Sequence, residues 1–385
     1  MTDVFKRLAK KLDGLPQGFP ATESGVELAI LRKIFSPEDA AMALRLKPVP
    51  ETPAQIARRL KRSEEETREI FEGMASRGQI YSFKIRGQRR YALAPFVVGI
   101  FEFQLNRIDR ELAQLCEEYA PHLAMTLGGK APHLARVVPV NRPIDPRTTV
   151  LAYEDTRTMI EDARSFQLMD CICRVEKAVQ GQPCSHTLET CLAFSKEEDA
   201  YEGSGLRGRS ISRDEALAVL DAAETEGLVH CTYNFEHDQM FVCNCCSCCC
   251  GFLRLLTEFH SPYGLVRSNW VTRIDHEICA VCGTCADERC PVEAIEETDG
   301  GGYRVLEERC IGCGVCVVTC PTEAMLLETR PEDQRTTPPR NIVDWSVQRT
   351  ANRSGPFKSL VLRGWLAWQG MGASRTPESP DHKRV

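Results

Sequence analysis

Cysteine dominates the chemistry open to this chain, with twenty in 385 residues. The most ordered pattern runs from Cys279 to Pro321, reading CAVCGTCADERCP and, after a spacer, CIGCGVCVVTCP. Each half offers Cys-x-x-Cys-x-x-Cys and then Cys-Pro: Cys279, Cys282, Cys285 with Cys290, and Cys310, Cys313, Cys316 with Cys320. Three thiolates on one tight loop suit three corners of a cubane iron–sulfur cluster, so a fourth ligand must come from outside the triplet. Zinc knuckles also use Cys-x-x-Cys, but the triple spacing closed by Cys-Pro, twice, favours iron and sulfide. The duplication extends past the thiols: PVEAI at 291–295 and PTEAM at 321–325 follow the last cysteine of each half in register.

A second metal region lies upstream. Residues 170–194 supply Cys171, Cys173, Cys184 and Cys191, and CNCCSCCCG supplies Cys243, Cys245, Cys246, Cys248, Cys249 and Cys250. Ten cysteines in two tracts call for one or two further iron–sulfur clusters, with zinc the rival occupant, because a thiolate cage is the economical use of so many thiols in a reducing cell. Either the first tract holds one site alone, or both tracts converge on shared sites. Adjacent cysteines such as Cys245 and Cys246 point in different directions, so the six of the second tract are not all partners at one site. His186, His230 and His237 lie nearby and read as surface or supporting residues rather than ligands. Arg174, next to Cys173, is a candidate cofactor-binding residue that donates to cluster sulfur. The lone Cys116 reads as a small buried hydrophobe.

The Cys279–Pro321 stretch resembles a bacterial-type ferredoxin with two [4Fe-4S] clusters, a family that moves single electrons; the resemblance covers residues 271–328. It implies that the last cysteine of each half serves the other half's cluster. One cluster would then take Cys279, Cys282, Cys285 and Cys320, and the second Cys310, Cys313, Cys316 and Cys290. One departure stands out: four residues separate Cys285 from Cys290, where the family has three. Over residues 1–330 the chain is similar to a group of uncharacterised ferredoxin-like proteins of anaerobic bacteria, through LPQGFPATESGVEL, PFVVGIFEFQL, the CICR tract, EGLVH and CNCCSCCCG. That likeness implies electron transfer and no catalytic residue.

The elements that must position these thiols are legible in outline. Ser36-Pro37, Thr52-Pro53 and Ser63-x-x-Glu66 are helix starts, and QIYSFKIRGQRRYALAP alternates as a hairpin turning at Gly87. Three helices and a hairpin suggest a winged helix. Its wing (Lys84, Arg86, Arg89, Arg90) is basic, but Glu64, Glu65 and Glu66 at the start of the presumed recognition helix repel phosphate, which argues against nucleic acid. Residues 96–119 read as one long helix. Arg136–Val140 and Thr148–Tyr153 read as strands, and Asp155 caps a helix running toward Cys171. Ser212-x-x-Glu215 opens another helix before the strand Leu228–Cys231. Beyond Glu328 the sequence predicts a linker, an amphipathic helix within 357–371 (Leu362, Trp365, Leu366, Trp368) suited to a membrane surface or to its own protein, and a disordered tail over 372–385.

The expected class is α+β: a helical, winged-helix-like region (1–120), a central α/β cysteine-rich domain (121–265), a two-cluster ferredoxin-like domain (266–330), and a linker with helix and tail (331–385). Net charge of −6 gives no general pull toward nucleic acid or membrane. No stretch reaches the roughly 20 apolar residues of a membrane span. With no apolar leader at its N-terminus, the chain is expected in the reducing cytoplasm. The sequence thus predicts an electron carrier or electron-input subunit for a larger anaerobic oxidoreductase, working between redox protein partners. Two alternatives are a redox-sensing winged-helix regulator and an oxidoreductase whose active site is a non-standard cluster.

Overall fold

The computed structural model describes residues 3–140, 152–259 and 265–369. Helices Val4–Asp13, Val26–Ile34, Pro37–Ala43, Pro53–Leu60 and Glu64–Ser76 precede the hairpin Tyr81–Ile85/Gln88–Ala92. Their starts follow from local chemistry. Ser36 Oγ accepts from Asp39 N, and Thr52 and Gln55 cap each other reciprocally. Ser63 also accepts from Glu66 N, but the Glu66 carboxylate turns to Arg62 instead of closing the box. Ile85 pairs with Gln88, leaving Arg86 (φ 51) and Gly87 (φ 73) as a two-residue turn of the kind that favours left-handed residues. Leu8, Ile30, Leu31, Phe71, Met74, Tyr91, Leu112 and Tyr119 close a common core over these elements.

The single long helix expected over 96–119 is not what forms. Val97 (φ −127, ψ 132) and Val98 (φ −77, ψ 124) are extended, and the helix runs from Arg110 to Gly128, capped by Asp109 and passing through Pro121. Two β-branched residues followed by glycine resist helix, and Asp109 offers a stronger start.

Beyond it lies a seven-stranded sheet in the spatial order Arg209–Ile211, Ser165–Asp170, Glu189–Ser195, Phe241–Cys245, Val229–Tyr233, Ala135–Val138, Leu265–Val266. The central region was expected as α/β, but every pairing here is antiparallel except Ala135–Val138 with Leu265–Val266. The helix at Asp155 stops at Glu161, and residues 165–170 leading to Cys171 form a strand. The expected strand Thr148–Tyr153 lies mostly outside the described residues; Ala152–Glu154 is a short 3-10 turn. The antiparallel arrangement gathers the thiols: Met169 pairs with Cys191, Cys231 with Cys243 and Val229 with Cys245, so chain ends carrying cysteine meet at one end of the sheet.

The last cysteine-rich stretch is closed by the pair Trp270–Ile274/Met325–Thr329 and the hairpin Ile295–Glu297/Tyr303–Val305. After it comes a helix the sequence reading missed, Ile342–Ser354, which begins where the expected linker RPEDQRTTPPRN ends. It straps the chain back on itself. Trp345 packs with Leu127, Leu134, Tyr233 and Phe235, and Arg349 Nη2 donates to Thr126 O at 2.6 Å. The expected amphipathic helix is present as Pro356–Trp368. Its Leu362, Trp365 and Leu366 pack against Val343, Val347 and Val49, while Trp368 is exposed. Residues 370–371 and the tail 372–385 lie outside the described residues.

Candidate metal centres

The two halves of the Cys279–Pro321 repeat place left-handed residues at matching positions. Val281 (φ 52) and Gly283 (φ 78) match Gly312 (φ 67) and Gly314 (φ 76), and after the last cysteines Glu293 (φ 51) matches Glu323 (φ 58). Left-handed residues turn the backbone so that its N–H groups face sulfur. Ala294 N donates to Cys290 Sγ at 3.0 Å, and N–H groups of Thr322 and Ala324 reach Cys320. The extra residue of the first half is absorbed as one π-helical turn, Cys285–Arg289, closed by Cys290 N to Cys285 O at 3.1 Å. The second half uses an ordinary α-turn, Val315–Val318.

Cys279, Cys282, Cys285 and Cys320 line one small cavity with Tyr303, Thr319 and Cys316. Burial and the neighbouring Cys282, Cys279 and Cys320 push the Cys285 thiol up to about 11. Cys313 is likewise raised by burial and by Cys316, Cys290 and Cys310, and Cys316 is pushed up to about 12. Converging thiols that repel one another's charge fit a cationic iron core at each set. The two sets differ in access. Cys282 is exposed and its companions are half-buried, whereas Cys310, Cys313 and Cys316 are each 7% exposed. The buried loop is held by backbone: Arg330 Nη2 donates to Cys310 O at 2.6 Å and Ser268 Oγ to Gly312 O at 2.7 Å. Val140 N donates to Cys313 O at 3.0 Å.

Upstream, the ten cysteines divide. Cys171 touches Cys173 and Cys191, Cys173 touches Cys250, Cys191 touches Cys243, and both Cys250 and Cys243 touch Cys245. Six thiols therefore form a closed ring. Cys231 joins it at Cys245, and the sequence reading missed it because it sits alone in a strand. Its register opposite Cys243 is the signal that would have found it. The remaining four, Cys184, Cys246, Cys248 and Cys249, meet elsewhere, with all four sulfur atoms within 4.8 Å of one another. Cys245 and Cys246 accordingly serve different groups.

Arg174 is 2% exposed and lies against both groups, near Cys171 and Cys246. It is anchored by donation to Thr190 Oγ1 at 2.6 Å and Asn244 O at 3.0 Å, while its buried Nε has no hydrogen-bond partner among the described residues. A buried cation with a spare donor beside thiols fits an anionic metal–thiolate group. The histidines are engaged elsewhere. His230 lies between Asn244 (2.6 Å) and Glu224 (3.2 Å), His186 contacts Glu226 at 3.1 Å, and His237 is exposed. Cys116 is buried in the N-terminal core.

Residues 303–326 match the family described as a 4Fe-4S binding domain. That segment binds iron and sulfide. Over 54 residues the chain is 48% identical to an uncharacterised ferredoxin of Methanocaldococcus jannaschii, covering 13% of this chain and 32% of that protein. It is 39% identical over 71 residues to the electron transport protein HydN of Escherichia coli, 17% of this chain and 40% of HydN. Over 52 residues it is 35% identical to the pyruvate synthase subunit PorD of Methanocaldococcus jannaschii, 14% of this chain and 59% of PorD. The chain thus spans about a third to three fifths of these relatives. No solved structure matches it. These likenesses place the segment among iron–sulfur, ferredoxin-type electron-transfer sequences. Among the described residues, no helix is long and apolar enough to cross a membrane.

Proposed function

We propose that this chain is an iron–sulfur electron carrier or electron-input subunit, passing single electrons between a redox donor and a larger anaerobic oxidoreductase. When bound, the clusters take up and release single electrons without making bonds to a substrate. Cys279, Cys282, Cys285 and Cys320 would hold one [4Fe-4S] cluster, and Cys310, Cys313, Cys316 and Cys290 the second. The ring of Cys171, Cys173, Cys191, Cys243, Cys245 and Cys250 would hold a further iron–sulfur group. One observation carries the reading: Cys310, Cys313, Cys290, Cys231, Cys245, Cys250 and Cys243 pack into a single apolar core. The ferredoxin-type thiols and the upstream ring therefore share one water-poor interior, with the exposed Cys282 set at its outer end. Val292, Ile311 and Val315 exclude water there, and backbone N–H groups directed at sulfur stabilise negative charge.

The test is strictly anaerobic purification of the full chain, with iron and sulfide counting and electron paramagnetic resonance after dithionite reduction. Two interacting cubane signals and about eight irons at minimum are expected, with more if the ring is filled. A colourless, iron-free, folded protein would end the proposal. A second reading, an oxidoreductase acting at the upstream ring, is favoured by the thiol count there, which exceeds the four a cubane uses. It predicts that a small thiophilic ligand such as cyanide perturbs the upstream signal and leaves the ferredoxin-type ones unchanged.

The regulator reading draws little support. The hairpin lies against an acidic loop: the Arg86 backbone N–H donates to Glu197 Oε2 at 2.9 Å, the Arg89 guanidinium donates to the Glu202 carbonyl, and Lys84 lies 3.9 Å from Asp199. Whether or not the region is a winged helix, its wing faces an acidic loop of its own chain.

A further inference from the structure

The four thiols left outside the ring are too close together for a cubane. Cys184 and Cys248 Sγ are 3.5 Å apart, Cys248 and Cys249 3.7 Å, and Cys184 and Cys246 3.9 Å. Four sulfur atoms around one tetrahedral ion at a metal–sulfur distance of about 2.3 Å stand about 3.8 Å from one another. In a cubane each thiolate binds a different iron and the inorganic core lies between them, which forces the thiolates well beyond that spacing. We infer that Cys184, Cys246, Cys248 and Cys249 bind a single divalent metal ion, zinc or iron, in a closed tetrathiolate site separate from every iron–sulfur cluster of the chain.

The surroundings suit such a site. His186 N donates to Cys184 Sγ at 3.4 Å, and the Arg174 guanidinium lies against Cys246. These two partners offset part of the negative charge that four thiolates leave on a divalent ion. Glu226, at the end of helix Arg213–Glu226, fixes the loop that carries Cys184 by accepting from Thr187 N at 2.6 Å and contacting His186 Nδ1 at 3.1 Å. Cys246 and Cys249 are 4% and 3% exposed, while Cys248 is open to solvent and gives the ion a way in.

The consequence is structural. Four thiolates complete the tetrahedron and leave no open position for substrate. The ion ties the loop before strand Glu189–Ser195 to the turn between strand Phe241–Cys245 and helix Gly251–Thr257, and so closes the six-thiol ring from outside. The inference does not depend on the electron-transfer reading.

The experiment compares the anaerobic full-length protein with Cys248→Ser and Cys184→Ser. The expected result is loss of one zinc or iron per chain, with acid-labile sulfide and the reduced cubane signals unchanged. Metal-edge absorption of the parent should show four sulfur neighbours at about 2.3 Å. A zinc edge, or a lone high-spin iron signal, tells the two ions apart, and either supports the site. Should both variants fail to fold, cobalt(II) exchange into the parent should give intense thiolate-to-metal charge transfer and tetrahedral ligand-field bands. Loss of about four irons with their sulfide would mean a cubane and overturn the inference. So would a parent protein with no mononuclear ion and a Cys184–Cys248 disulfide by mass spectrometry.

Discussion

Gly312 stands between Cys310 and Cys313 at φ 67, and a Cβ there would run into the Trp270 carbonyl and the Ser268 hydroxyl. Its counterpart in the first half is Val281, which holds the same left-handed backbone in the open, half exposed. One repeat position is thus forced to be glycine by packing, while the other tolerates a β-branched side chain at a conformational cost of about 1–2 kcal/mol. Gly312→Ala is expected to lose the second set's cluster, about four irons per chain, whereas Gly301→Ala, with open space around its Cβ, keeps the full iron count. Iron assay of the two variants decides it. Glu176 offers a pH test. Burial and the nearby Glu117 push its carboxyl from 4.5 up to about 7, and no residue of opposite charge fully offsets this. The unfolded chain then releases this proton at lower pH than the folded one, so stability falls as pH rises from about 4.5 to 7 and stays lower above. Glu176→Gln should remove that fall, leaving the variant up to about 3 kcal/mol more stable than the parent at pH 8 and near equal at pH 4.5, read by urea unfolding under argon.

At the scale of elements, the π-turn Cys285–Arg289 is where the two halves part company. Deleting Glu288 would restore three residues between Cys285 and Cys290 and let an α-turn form, as at Val315–Val318. Because the turn repositions Cys290 against the second set, the deletion should shift the potential of that cluster and leave the other in place, with iron content unchanged. Redox titration followed by paramagnetic resonance separates the two signals. The extra residue was legible in the sequence; the π-turn was not, since only the backbone shows how an insertion is absorbed. The same division holds elsewhere. Short signals acting within a turn, such as Ser36-Pro37, Ser212-x-x-Glu215 and Arg86-Gly87, located helices and the hairpin correctly. Helix Ile342–Ser354 escaped because its apolar residues Trp345 and Val347 gain their meaning from Leu127, Tyr233 and Val49, all distant in sequence. The spacing of the ferredoxin-type thiols is local and was readable. The partition of the upstream cysteines was not, because it depends on strand register, which pairs Cys231 with Cys243 and sends Cys246 to the other side. At the hairpin, a gel-shift assay with genomic DNA should show no salt-sensitive retardation, since the acidic loop 197–202 lies against Arg86, Arg89 and Lys84 and repels phosphate there. Strong, salt-sensitive binding would show that this acidic loop yields to phosphate.

Across the whole molecule the thiol sets are graded in depth. The outermost has Cys282 in solvent, the next has three thiols at 7% exposure, and the ring shares the latter's core. Reaching the outer set requires only local motion of an exposed loop. Reaching Cys310 and Cys313 requires breaking Arg330 to Cys310 O, Val140 N to Cys313 O and Ser268 to Gly312 O together, and those partners come from three separate stretches of chain. Local opening free energies range from near zero at exposed loops to the global value in a core, so the two sets should differ widely in rate of loss. A slow iron chelator added anaerobically is therefore expected to remove iron in two phases. The first, about four irons, abolishes the signal of the outer cluster alone, and the second follows the rate of global unfolding measured in urea. Cys282→Ser should speed only the first phase, and Arg330→Gln, which leaves the Cys310 carbonyl without its donor, only the second. A single phase carrying all the iron, or the inner cluster leaving first, would mean that depth does not govern access.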